Sequence, residues 1–366
     1  MSVLKLPPLY AVDAEEKIRK WEIAAFLDGN EAVMRRTHGL IDGKRQINLK
    51  PLKGGKNIGR SNETTPFEQA CSEIRSMWLK MQDQGYVDYI PDPNNPPDFW
   101  LPMKAKGYRQ RKAKVVFPCY VQPKLNGVRT MVEPITADTV LFHTGGNKTY
   151  DILQHLEKAL FEYITMSDQP DAEVYKHGWP LNRITSYVKK RYNFTKKLQL
   201  WIFDWIINGM PFEERWETVI SKIPAKHKLL IRVPTIRVKS HAEIERYNKI
   251  WLKEGYEGTM VRMRNGLYRK NYRSPHVLKY PEYLRKEFKI IGVKEGEGLD
   301  KGCAVFICLS KGGPVDVRPQ GTVKKRQGYL KDFANIKGKS LTVKFKEMST
   351  YGIPLCPTGE AIRDYE

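Results

Sequence analysis

Apolar residues recur along this chain with two periods, and the switches between them divide it. Near the start, Trp21-Glu22-Ile23, Ala32-Val33-Met34 and Gln46-Ile47-Asn48-Leu49 alternate in the manner of short strands. The turn-forming stretch His38-Gly39-Leu40-Ile41-Asp42-Gly43 follows the second of them. A helix is predicted to open at Thr64-Thr65-Pro66-Phe67-Glu68-Gln69-Ala70: threonine suits the N-cap, Pro66 the first turn and Glu68 the helix dipole. Ile74, Trp78 and Met81 then share a face, and Gly85 ends the helix. Residues 1–95 read as one small α+β module. Pro91, Pro93, Pro96, Pro97 and Pro102 come next; such density continues neither a helix nor a central strand, so a linker is predicted at residues 96–102.

Residues 103–283 carry a longer alternation. The apolar runs Val115-Val116-Phe117 and Cys119-Tyr120-Val121 lead into Lys124-Leu125-Asn126-Gly127-Val128-Arg129. Strand-like runs (Thr139 to Phe142, Leu198 to Ile207, Gly258 to Met263) alternate with helical ones (Ile152 to Ile164, His241 to Lys253). In the last helix Ile244, Tyr247 and Trp251 repeat at helical spacing and are expected in the core. Residues 284–366 are β-rich again: Lys289 to Val293, Ala304 to Leu309 and Leu341 to Phe345 are separated by glycines, which suggests a small barrel.

Composition adds a partner. The formal net charge is +22 and the pI about 9.6, which suits a polyanion. Basic runs at Arg109 to Lys114, Lys189-Lys190-Arg191 and Lys324-Lys325-Arg326 flank the central region, with Tyr108, Tyr187 and Tyr192 beside the first two, as in grooves that track a nucleic-acid backbone. The five cysteines, Cys71, Cys119, Cys303, Cys308 and Cys356, show neither zinc-ligand spacing nor a disulfide framework. Met1 to Tyr10 has no signal-peptide core and no apolar run reaches membrane-spanning length. The expectation is a soluble, cytoplasmic monomer with no membrane partner.

The hexamer at Lys124 presents an amine at the end of a strand, just before a tight Asn-Gly turn. An amine of lowered pKa there attacks an electrophile and carries it covalently; a solvated lysine on a surface hairpin is the alternative. Four more stretches decide between them. Asp171-Ala172-Glu173-Val174-Tyr175, Trp201-Ile202-Phe203-Asp204-Trp205, Glu257-Gly258-Thr259-Met260-Val261 and Val277-Leu278-Lys279-Tyr280 follow in order. Together the five resemble the motifs of the covalent nucleotidyltransferases, and among them the ATP-dependent DNA ligases.

That resemblance implies an α+β fold: an antiparallel-sheet, ATP-grasp-like nucleotidyltransferase domain over 103–283, then an OB-fold barrel over 284–366. It implies ATP and Mg2+ as cofactors and nicked double-stranded DNA as partner. Lys124 becomes the nucleophile. Glu257 is a metal ligand, joined by Glu173, which also takes the ribose hydroxyl. Arg129 reaches the ribose or the bound strand. Phe203 and Met260 hold the two faces of adenine, a flat apolar surface. Gln122 reads the adenine amino group through its amide oxygen. Leu125 lies beside the nucleotide, and Lys279 neutralises the α-phosphate. The ending through Arg363 and Asp364 looks like the last ligase motif, with both residues facing ATP. The N-terminal module resembles WGR-like DNA-contacting modules, although His38-Gly39-Leu40 stands where Trp-Gly-Arg would be, and Lys53, Lys56 and Arg60 are its candidate phosphate contacts. Lys189, Lys190 and Arg191 are further DNA candidates. The resemblance departs from pattern twice. Pro281 replaces a second lysine, with Lys286 or Lys289 as substitutes. No arginine stands in His143 to Lys148, which moves contact with the 5′-phosphate to Lys148. An RNA ligase or capping guanylyltransferase is the nearest rival; a nonenzymatic DNA-binding protein on the same scaffold is the other.

Overall fold

The computed structural model describes residues 2–13, 15–29, 31–52, 54–97, 99–297, 300–349 and 351–363. Its contacts divide the chain into Met1–Tyr280 and Pro281–Glu366.

The N-terminal strands are longer than the pattern predicts, because each extends along its neighbour. Ile18–Asp28 pairs antiparallel with Glu31–Leu40, which pairs with Arg45–Leu52. Val3–Lys5 and Leu9–Val12, which the sequence reading missed, share the other edge of Ile18–Asp28. His38-Gly39-Leu40 is therefore the end of a strand, and the turn comes after it. Trp21, Ile23, Ala25, Ala32 and Met34 bury one face of this sheet against Ala70, Cys71 and Ile74. Those last three lie on the helix Pro66–Gln82. Its start is a capping box: the Thr65 hydroxyl accepts from the Glu68 amide (3.2 Å), and the Glu68 carboxylate accepts from the Thr65 amide (2.8 Å). Two donors that would otherwise be left unsatisfied at the helix start are thereby paired. The proline-rich segment ends in the core, with Leu101 and Met103 buried.

Two sheets follow. One has the order Thr149–Tyr150, Thr139–Thr144, Val128–Thr136, Pro170–Tyr175, Gln199–Trp205, Leu230–Arg232. The other has the order Ile236–Val238, Cys119–Pro123, Gly258–Met263, Arg273–Pro281, Lys104–Gly107. The first packs Val132, Phe142, Val174, Leu200 and Ile202 with the helices Gln154–Leu160, Leu181–Lys189 and Phe212–Lys222. The second packs Cys119, Val121, Val261 and Leu278 under the helix His241–Lys253 through Ile244 and Trp251. The helix expected from Ile152 to Ile164 is only Gln154–Leu160, with irregular chain before it and a turn after it. Tyr108, read as a groove aromatic, is a core residue 1% exposed.

In the second unit Leu284–Glu295, Ala304–Ser310, Gly313–Pro319, Thr358–Arg363 and Ser340–Phe345 close into a barrel around Phe288, Ile290, Phe306, Val317, Leu341 and Val343. Closure leaves no free sheet edge. The helix Val323–Lys331 carries the basic run at 324–326, and one of its cations is not a surface charge: Arg326 is buried and paired with Asp300 at 2.5 Å.

Candidate active site

Lys124 leaves the end of the strand Cys119–Pro123 and is clasped through its backbone. Its amide donates to the Gly258 carbonyl (2.8 Å), and its own carbonyl accepts from the Glu257 amide (2.9 Å). The clasp brings the two side chains together, Nζ to Oε2 at 2.7 Å. The turn that follows requires glycine. A Cβ on Gly127 would lie 2.5 Å from the Val174 carbonyl oxygen and 3.0 Å from Glu173 Cγ. The Gly127 amide instead donates to Glu173 Oε1 at 2.6 Å. Burial pushes the Glu173 carboxyl up to about 7, with the Lys124 charge, the Gly127 amide and Arg129 opposing and Glu257 adding to it.

Register assembles the rest. Gln122 lies directly opposite Met260 on the antiparallel pair, and Glu173 lies between Arg129 and Trp201. Successive inward positions are two residues apart, so Gln122 shares a face with Lys124, and Met260 with Arg262. A cleft of about 250 Å³ lies between the sheets. Gln122, Lys124, Leu125, Arg129, Glu173, Phe203, Met260 and Lys279, all chosen from sequence, line it. Glu257 joins it through its ion pair with Lys124.

Several residues that hold this cleft were not assigned a role from sequence. Asp171, fully buried, takes the Arg129 guanidinium on both oxygens and accepts from the Tyr268 hydroxyl at 2.6 Å. Arg129 also donates to the Met103 carbonyl (2.7 Å), so its fork is held on two sides before any ligand arrives. Asp204, also fully buried, accepts from Arg215 (2.8 and 3.1 Å) and Arg262 (2.7 Å). The signal was present: both aspartates belong to motif strands, and Arg262 stands two residues after Met260. Gln122 differs from expectation in one respect, since its amide oxygen already accepts from Arg262 at 2.9 Å.

The remaining candidates do not converge on the cleft. Lys148 pairs with Asp83 at 3.0 Å and is otherwise exposed. Lys56 lies 3.9 Å from Glu73, and Arg60 is on an exposed turn. Lys53 and Asp364 lie outside the described residues. Arg363 donates to the Thr342 hydroxyl (2.7 Å) and lies 3.7 Å from Glu287, both on barrel strands. Residues 1–95 hold fourteen Lys and Arg against thirteen Asp and Glu, so nearly all the net charge lies beyond them. The stretch between Glu173 and Asp204 holds seven Lys and Arg and no acidic residue. There Arg183, Lys189, Lys190, Arg191, Lys196 and Lys197 are all exposed, and among the described residues none is ion-paired. Aromatic rings sit among them: Arg183 lies 4.2 Å from the Trp179 ring centre and Lys197 4.7 Å from that of Phe194. Tyr192 and Phe194 are 41% and 45% exposed.

Comparison with known proteins agrees with this arrangement. A family model described as ATP dependent DNA ligase domain matches residues 102–280. DNA ligases of African swine fever virus, from the Pig/Kenya/KEN-50/1950 and Tick/Malawi/Lil 20-1/1983 isolates, are 27% identical over 324 residues, covering 82% of this chain and 76% of theirs. Among solved structures, a Lig E DNA ligase is 19% identical with a TM-score of 0.58, covering 72% of this chain and 99% of its own. Pmar-Lig_PreS3 is 19% identical with a TM-score of 0.64, covering 74% and 69%. These two speak to the fold. With five motifs in order and their side chains gathered about one cleft, residues 102–280 form an ATP-dependent DNA ligase domain.

Proposed function

We propose that Lys124 is the residue that carries AMP. Its Nζ forms a bond to the α-phosphorus of ATP while the bond from that phosphorus to the pyrophosphate oxygen breaks. An ammonium has no lone pair, so a proton leaves first, and Glu257 Oε2 at 2.7 Å is an acceptor in reach. The AMP then passes to the 5′-phosphate of a nick in duplex DNA. The 3′-hydroxyl displaces AMP from that phosphate and seals the strand. The observation that carries this reading is Lys124 lining the cleft in an ion pair with Glu257, with Glu173 lining the same cleft.

The other lining residues receive their parts from position. Phe203 and Met260 offer apolar faces to adenine, Arg129 a fixed fork to the ribose or the nicked strand, and Lys279 a charge to the α-phosphate. Glu257 and Glu173 would hold Mg2+. Among the described residues no cluster of three or more metal-ligating side chains exists, and the fit is good nonetheless, because Mg2+ is bound through one or two carboxylates together with substrate phosphates and water. Its charge offsets that of the triphosphate. The unpaired basic strip at 183–197 serves as a DNA-backbone surface, and one chain suffices for the reaction.

Incubation with α-labelled ATP and Mg2+ tests the reading. Acid-labile, alkali-stable label should stay on the denatured chain and vanish in Lys124→Ala. A nicked DNA duplex should be sealed faster than an all-RNA nick. Label that persists in Lys124→Ala overturns the assignment of the nucleophile.

A further inference from the structure

Gln122 is 1% exposed, lines the cleft, and has its amide orientation fixed by three partners. Its nitrogen donates to the Phe203 carbonyl (3.0 Å) and to the Thr235 hydroxyl oxygen (2.9 Å). Thr235 has already committed its own proton to the Val233 carbonyl (2.9 Å), so it meets Gln122 as an acceptor. The Gln122 oxygen accepts from Arg262 Nε at 2.9 Å, and that nitrogen can only donate. A flipped amide would set donor against donor once and acceptor against acceptor twice. The orientation therefore follows from chemistry, and an assignment by shape alone would not secure it.

Arg262 is itself buried and anchored. Its Nη1 donates to Asp204 Oδ2 at 2.7 Å, and Asp204, fully buried, is gripped again by Arg215 and by the Trp205 amide at 2.8 Å. Both amide hydrogens of Gln122 are spent, and one lone pair of its oxygen remains. The cleft is thus offered an acceptor and no donor at this position. A 6-amino purine places a hydrogen-bond donor against that oxygen. A 6-oxo purine places a second acceptor there, and a site built around a polar group rejects a mismatched partner far more strongly than an apolar pocket does.

We propose that Arg262, anchored by Asp204, is a positioning residue that sets selectivity for 6-amino over 6-oxo purine nucleotides by holding the Gln122 amide in one orientation. The proposal rests on the reading of this cleft as the ATP site. The same network ties down the backbone carbonyl of Phe203, so the ring and the amide are placed together.

The test measures self-labelling of the full chain with ATP and with inosine triphosphate, which has an oxygen in place of the 6-amino group and a proton on the neighbouring N1. The wild type should favour ATP. Arg262→Met should reduce the ratio of kcat/KM values at least tenfold, mainly through KM for ATP, and Arg262→Lys should restore part of it. Arg262→Met leaves Asp204 short of a partner and risks misfolding. Thr235→Val removes the acceptor that fixes the nitrogen, leaves the ion pairs intact, and should lower the same ratio. In a Gln122→Ala background, Arg262→Met should leave the ratio unchanged. The proposal is overturned if the wild type does not discriminate, if Thr235→Val and Arg262→Met slow both nucleotides equally, or if Arg262→Met still alters the ratio without Gln122. Absence of labelling by either nucleotide in the wild type would instead overturn the lysyl-AMP reading, and this proposal with it.

Discussion

Lys124 and Glu257 are held together twice, by their side chains at 2.7 Å and by the Glu257 amide on the Lys124 carbonyl at 2.9 Å. The second contact is indifferent to side-chain chemistry. A change at Glu257 therefore removes a charge without moving the strand end, and Lys124 stays in place.

The first prediction follows. Glu257→Ala should fold with a melting temperature near that of the wild type, yet load AMP at least about 100-fold more slowly, since charge stabilisation around the triphosphate is worth several kcal/mol. Removing Mg2+ with a chelator should have a similar effect on the wild type and little further effect on the variant. Time courses of labelling at graded Mg2+ decide it. Labelling in Glu257→Ala that keeps the normal Mg2+ dependence rules out the carboxylate as the metal's holder.

Gly127→Ala is the second. The added methyl meets the Val174 carbonyl oxygen at 2.5 Å, and a backbone oxygen in a paired strand does not step aside. Overpacking of this kind costs about 1–3 kcal/mol. The loop must lift, which breaks the 2.6 Å bond from the Gly127 amide to Glu173. Lower thermal stability and slower AMP loading should appear together. A variant as stable and as fast as the wild type would mean that the turn relaxes freely.

Glu173→Gln carries the third, through pH. Burial is the largest influence on Glu173 and raises its carboxyl from 4.5 to about 7 in the folded chain. Between those values the folded state binds the proton more tightly than the unfolded state does, so stability falls as pH rises. The contribution is fully present below about 4.5 and lost above about 7. A neutral glutamine escapes this loss. Relative to the wild type, Glu173→Gln should gain stability on going from pH 5 to pH 8, by on the order of 2 kcal/mol, as read by denaturant melts at both pH values. A difference that stays constant with pH would show that Glu173 is ionised throughout.

The cleft was legible in the sequence because its residues sit on strands or directly beside them, where a linear motif fixes both type and direction. Lys124, Glu257 and Met260 are in that class. The charged scaffold beneath it was not, because its partners meet only through the fold: Arg262 is 58 residues from Asp204, and Tyr268 is 97 from Asp171. Charge runs misled in a related way. Arg326 stands in a basic run, and its burial is set by which face of the helix Val323–Lys331 meets the barrel and by Asp300, which lies elsewhere in the chain. The N-terminal strands Val3–Lys5 and Leu9–Val12 were missed because each is too short for its own alternation to register, and pairing on a longer neighbour makes them strands.

The last prediction concerns where DNA is held. The two basic candidates differ in what already neutralises them. Lys50 and Lys56 share Glu73, and residues 1–95 are nearly balanced in charge. Lys189, Lys190, Lys196 and Lys197 have no acidic neighbour in sequence and, among the described residues, no ion pair. A cation that is already paired must give up its partner before it meets a phosphate, whereas a free one only releases counterions from the DNA. Each phosphate contact adds about 0.9 to the slope of log affinity against log salt. Lys189→Gln with Lys190→Gln should therefore weaken binding to a nicked duplex at low salt and reduce that slope by about 1–2. Lys50→Gln with Lys56→Gln should change both much less. Neither pair touches Lys124 or the cleft, so self-labelling with ATP should proceed at the normal rate in both. Binding titrations at three salt concentrations separate the surfaces. If the N-terminal pair flattens the slope and the other pair does not, the DNA lies across the N-terminal sheet and the strip at 183–197 is only a solvated face.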